Sequence, residues 1–149
     1  MTKLDDALSG VTRLAFDTSP LIYFVEAHPK YDALVTDIFQ RVADGRITGI
    51  ASVITLSEVL VQPILQNNAS LCQSYRDLLI HSANFELLSI NATIAESAAD
   101  LRARYRLRTP DALQIATAID AGCEAFLTND AALKRVNELR VLALDDLET

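Results

Sequence analysis

The run RLAFDTSPLIY, residues 13–23, decides the fold. Arg13–Phe16 reads as a buried strand, because a short apolar run closed by turn-forming residues suits a strand covered on both faces. The strand ends at Asp17. A short helix follows from Pro20, where proline has no hydrogen bond to lose and its φ is already helical. Strand, acid, helix is the opening of a βα unit, and the rest of the chain continues it. Tyr31–Ala43 is a helix with Leu34, Val35, Ile38, Phe39 and Val42 on one face, stopped by Gly45. Ile47–Val53 is a second strand and Leu56–Gln66 a helix that Pro63 kinks or ends. Ala69–His81 and Ala92–Tyr105 are helices around a strand at Phe85–Leu88. Ala112–Ala121 is a helix closed by Gly122, Ala125–Thr128 a strand, Ala131–Val136 a short helix, and Arg140–Leu144 a last strand. Short apolar strands between helices of about 10–15 residues imply an α/β fold, a parallel sheet with helices on both faces. The length, 149 residues, predicts a single domain over 1–149.

Composition narrows the class of function. Half the residues are hydrophobic and 22% are charged, which is ordinary globular usage and excludes disorder. The net charge of −7, from 20 acidic and 13 basic residues, is wrong for a binder that holds nucleic acid by charge alone. Cys72 and Cys123 form no zinc motif and no disulfide framework, which fits a reducing cytoplasm. No signal pattern opens the chain, and no apolar run approaches the roughly 20 residues of a membrane helix. Neither GxGxxG nor GxxxxGK[ST] occurs, so dinucleotide and P-loop chemistry are rejected, and no GxSxG elbow supports a serine nucleophile. His28 and His81 have no partners for a transition-metal site.

Ligands on such sheets bind outside the carboxyl ends of the strands, and four acids fall there. Asp17 follows the first strand, and Glu58 lies in the helix after the second. Asp111 opens the helix of RTPDALQIATA (108–118), and Asp130 follows the strand in FLTND (126–130). Each has a local alternative. Thr55 and Glu58 have the spacing of a capping box. Thr109, Pro110 and Asp111 read as N-cap, first-turn proline and first-turn acid. Asp130 fits a cap and Asp17 an Asx-turn. Capping does not require four acids at one sheet edge, whereas carboxylates gathered in one crevice repel until a cation neutralises them. Hard oxygen donors suit Mg²⁺ or Mn²⁺.

Together DTSPLIY (17–23), TLSEVL (55–60), RTPDALQIATAI (108–119) and FLTND (126–130) resemble the PIN-domain family, of the kind found as VapC-like toxins in toxin–antitoxin pairs. The resemblance spans about Leu14 to Asp145. It implies a five-stranded parallel sheet between helices and a Mg²⁺- or Mn²⁺-dependent ribonuclease. Asp17, Glu58, Asp111 and Asp130 would be its acidic quartet and metal ligands, with Thr128 beside them. It also implies an antitoxin partner and a homodimer. Ser19 stands where the family commonly has Asn. The segment Arg102, Arg104, Arg106, Arg108 either complements a helix dipole or, at Arg106 and Arg108, grips RNA phosphates. Two other functions compete: a PIN fold without catalysis, serving as an interaction module, and a phosphatase forming an aspartyl-phosphate. Ser19 counts against the phosphatase, because that chemistry places a second Asp two positions after the first.

Overall fold

The computed structural model describes Thr2–Glu148; residues 1 and 149, the ends of the domain expected from the sequence, lie outside the described residues. The strands are β1 (Arg13–Phe16), β2 (Thr48–Ser52), β3 (Phe85–Leu88), β4 (Ala125–Thr128) and β5 (Arg140–Ala143). The helices are α1 (Lys3–Ala7), α2 (Thr18–Val25), α3 (Asp32–Ala43), α4 (Val53–Leu65), α5 (Ala69–His81), α6 (Ala92–Tyr105) and α7 (Thr109–Asp120). Residues 131–135 and 144–146 form 3-10 turns. The five strands make one parallel sheet, as the sequence predicts, and their order is β3-β2-β1-β4-β5.

Alternation along β1 builds both layers of the core. Leu14 and Phe16 point into an apolar cluster with Leu21, Val35, Ile38, Phe39, Tyr75 and Leu79 of α2, α3 and α5. Ala15 points the other way, toward Ile94, Ala98 and Leu101 of α6 and Ala112, Ile115 and Ala116 of α7. Successive side chains of a strand face opposite sides, so a strand covered twice must be apolar throughout. The Phe39 ring stacks on Phe16 at 4.9 Å and on Phe24 at 4.1 Å between centroids. Among the described residues, no helix is long and apolar enough to cross a membrane.

Strand centres agree with the sequence pattern, but several helix starts move. α2 begins at Thr18 rather than Pro20, because Asp17 caps it. α4 begins at Val53, three residues before the expected Leu56, with Ser52 as N-cap, and it runs two residues past Pro63. α7 begins at Thr109 rather than Ala112, and its N-cap is Arg108. α1 was not expected. Thr2 and Asp5 close it with a reciprocal capping box. Two strands follow β1 outward on one side and one follows β4 on the other, so strand order reverses between β1 and β4. Crevices in parallel sheets open at such a reversal, beyond the carboxyl ends of the strands. Asp17 and Thr128 end the two strands that flank it.

Candidate active site

Asp17 stands between a strand and a helix, and both ends of its carboxylate are used. Oδ1 accepts from the Thr18 backbone N–H at 2.8 Å and Oδ2 from the Thr128 hydroxyl at 2.8 Å. Its own N–H donates to the Leu127 carbonyl at 2.8 Å, which extends the β1–β4 pairing by one residue. Burial holds the Asp17 carboxyl above the usual carboxylate range. The Thr128 hydroxyl and Thr18 N–H oppose that rise, and the charges of Asp111 and Glu58 add to it. Thr128 is fully buried. Its hydroxyl also accepts from the Asp130 N–H at 3.0 Å, so one oxygen ties Asp17 to the turn that carries Asp130. Asp130 in turn caps that turn, accepting from Ala132 N–H at 2.9 Å.

Glu58 behaves otherwise than a capping residue. Because α4 starts at Val53, Thr55 lies inside the first turn and Glu58 in the second, so the expected capping box does not form. Glu58 Oε1 instead reaches across to α2 and α7, accepting from Thr18 Oγ1 at 2.6 Å and from Gln114 Nε2 at 3.0 Å. Asp111, the third residue of α7, is 8% exposed, and its Oδ2 accepts from Arg108 Nε at 3.2 Å. The Arg108 guanidinium is pushed above its ordinary value by Asp111 first, with further help from Glu58 and Asp130.

These side chains share one cavity. Asp17, Thr18, Ser19, Glu58, Arg108, Asp111, Asn129 and Asp130 line a volume of about 260 Å³ at the carboxyl edge of the sheet. A larger hollow of about 530 Å³, between α3 and the two ends of the chain, contains none of the four acids. Arg106 does not line the acidic cavity. It occupies the left-handed position that ends α6, with φ 56° and ψ 46°. Gln114 and Thr18 escaped the sequence reading. The signal for Gln114 was a polar residue three positions after Asp111 in a mostly apolar helix.

The donor set is chemically uniform: four carboxylates, the hydroxyls of Thr18 and Ser19 and the amide oxygen of Asn129, with no imidazole or thiolate among them. It fits Mg²⁺ or Mn²⁺, which prefer oxygen and keep part of their water shell. A water takes roughly 30 Å³, so the cavity has room for an ion and several waters. Among the described residues, no three acidic, His or Cys side chains stand near enough to hold one ion as they lie. The hydrogen bonds give the reason. Asp111 is drawn to Arg108, Glu58 to Thr18 and Gln114, and Asp130 to its own turn.

The fold and cavity define a class, parallel α/β proteins with a cup of carboxylates at the strand ends. The PIN-domain family model matches residues 14–139, and the chain belongs to that family. Solved structures with the same fold include VapBC2 from Rickettsia felis bound to a promoter DNA fragment. That likeness has a TM-score of 0.71 and 19% identity, over 89% of this chain and 98% of that one. A toxin–antitoxin complex from Klebsiella pneumoniae matches with a TM-score of 0.69 and 24% identity, over 88% and 97%. VapC20 of Mycobacterium tuberculosis, described as a toxin that cleaves the sarcin–ricin loop, matches with a TM-score of 0.66 and 14% identity, over 85% and 98%. No curated protein matches the chain in sequence.

Proposed function

We propose that the chain is a divalent-cation-dependent endoribonuclease and the toxin of a toxin–antitoxin pair. The observation that carries this reading is convergence: acids separated by up to 113 positions, Asp17 to Asp130, line one cavity beyond the strand ends. Family membership supports it, as does the description of one neighbour as a toxin that cleaves the sarcin–ricin loop and of another as a toxin–antitoxin complex. An antitoxin, a second copy of the chain and an RNA substrate in the cytoplasm belong to the same reading.

Asp17, Asp111 and Asp130 would hold Mg²⁺ or Mn²⁺, with Glu58 ligating directly or through water. The bound cation supplies positive charge against the phosphodiester and makes water a competent nucleophile near neutral pH. Thr128 keeps Asp17 in one orientation by donating to Oδ2. Burial first, and then the charges of Asp111 and Glu58, hold the Asp17 carboxyl up, and a cation held there would offset both. Arg108, which pairs with Asp111 at the cavity wall, would take an RNA phosphate there.

The test is cleavage of RNA by the purified protein. Activity should vanish with EDTA, return with Mn²⁺, and fall roughly a hundredfold or more in Asp17→Asn while the variant stays folded. Full cleavage by a folded Asp17→Asn protein would end this reading. A second reading, a PIN fold that binds without catalysis, draws on the Arg108–Asp111 pair and the spread of the acids. Calorimetry separates the two, because a non-catalytic site takes up no Mn²⁺.

A further inference from the structure

Gln114 is a buried amide on α7 with an unusual distribution of bonds. Its residue is 4% exposed and sits between Ala112, Ile115 and Ala116, all buried. Nε2 donates to both Thr18 Oγ1 at 3.1 Å and Glu58 Oε1 at 3.0 Å. Oε1 of Gln114 is buried without any partner among the described residues. Reversing the amide would put that oxygen against the Glu58 carboxylate, so its orientation is set by the site. An unsatisfied buried acceptor destabilises a fold, and an apolar side chain of similar volume would avoid it. A local cost that an apolar residue would spare is a mark of function.

The bonds form a directed chain. Thr18 has one hydroxyl proton and gives it to Glu58 Oε1 at 2.6 Å, so it accepts from Gln114. Thr55, fully buried beneath it, lies 3.4 Å from Thr18 Oγ1. Two donors from two helices thus meet on a single oxygen of Glu58. Glu58 Oε2 takes no hydrogen bond from the protein among the described residues.

We propose that Gln114 is a positioning residue: with Thr18 it pins Oε1 of Glu58, and so presents Oε2 to the divalent cation. Glu58 is the one acid of the four that arrives from mid-helix rather than at a helix start, and its side chain is solvent-exposed. Without the two donors it would sample several rotamers and meet the ion only part of the time. The inference rests on the proposed metal-dependent function and goes beyond it by assigning a role to a residue outside the acidic set.

Mn²⁺ titration calorimetry on the full chain tests it, using wild type, Gln114→Met, Glu58→Ala and the double variant. Gln114→Met should weaken Mn²⁺ binding about tenfold, as loss of a ligand-orienting group does. It should leave the thermal midpoint unchanged or higher, since it removes the orphaned acceptor. In the Glu58→Ala background the same substitution should change affinity no further. A purely structural role predicts equal losses in both backgrounds and a lowered midpoint, and that result overturns the proposal. So does a folded Gln114→Met protein that binds Mn²⁺ as wild type does. If wild type takes up no Mn²⁺, the metal-dependent function fails and takes this assignment with it. The contact has a readout without metal. In ¹⁵N spectra of wild type, the Gln114 side-chain amide protons should exchange slowly, and they should shift in Glu58→Ala. Rapid exchange would overturn the assignment even if Gln114→Met does not fold.

Discussion

At the end of β4 the Thr128 hydroxyl serves two neighbours, donating to Asp17 and accepting from the Asp130 backbone. Thr128→Val keeps the shape and removes both bonds, leaving a half-buried carboxylate short of a donor. The expected loss is about 1–3 kcal/mol of unfolding free energy, measured by denaturant titration. The Asp17 carboxyl should then lie further above its ordinary range, because one of the two groups opposing its rise is gone. At this scale the sequence was legible where an acid ends a strand or opens a helix, as at Asp17, Asp111 and Asp130. Glu58 was found by its position after β2, but its surroundings were not. The capping box failed because α4 starts at Val53, and local spacing cannot register that Thr18 and Gln114 reach Glu58 from other helices.

Elements were legible in kind and less so at their edges. The strands could be placed because apolar runs covered on both faces stand out between turns. Helix starts differ by up to three residues, since Thr18 and Thr109 carry no apolar periodicity, Val53 reads as the end of the preceding strand, and caps are satisfied by whichever group arrives. Gly49 in β2 shows what an isolated strand pattern hides. A Cβ there would meet Phe85 Cδ2 at 2.5 Å and Cε2 at 2.7 Å, with Phe16 Cε1 at 3.3 Å. Gly49→Ala should therefore destabilise by about 1–3 kcal/mol through overpacking, although alanine is ordinarily harmless in a strand; thermal unfolding reads it. The short helix α1 depends on charge as well as its cap. Asp5 is held at about 2, chiefly by its backbone bond in the Thr2 box and then by Arg41 at 2.7 Å. A carboxyl whose folded value is depressed contributes stability above its unfolded value, and that contribution is lost as pH falls toward the folded one. Asp5→Asn should thus lower stability at neutral pH and narrow its gap to wild type between about pH 4 and 2, followed by acid titration of the unfolding midpoint.

Over the whole molecule, charge is sorted rather than balanced. The net −7 includes the four cavity acids, and the arginines before α7 are unequally engaged. Arg104 is bound by Asp100 and Glu138, Arg102 by the Leu107 carbonyl and Arg108 by Asp111. The Arg106 side chain has no partner among the described residues and is exposed. If it grips a phosphate, Arg106→Ala weakens RNA binding for all sequences alike and reduces the slope of log affinity against log salt by about one. Unchanged salt dependence would leave Arg106 as a helix terminator alone.

The central pairing of β1 with β4 also sets when the cavity can exist. Asp17 meets Thr128 across 111 positions. During translation at about 5–20 residues per second, Asp17 waits roughly 6–22 s for its partner strand to be made. A nascent chain that has not yet delivered β4 lacks Thr128 and Asp130 and leaves β1 at an open sheet edge. The acidic cavity is therefore completed late in synthesis and all at once, when the chain from Thr128 to Asp130 joins Asp17.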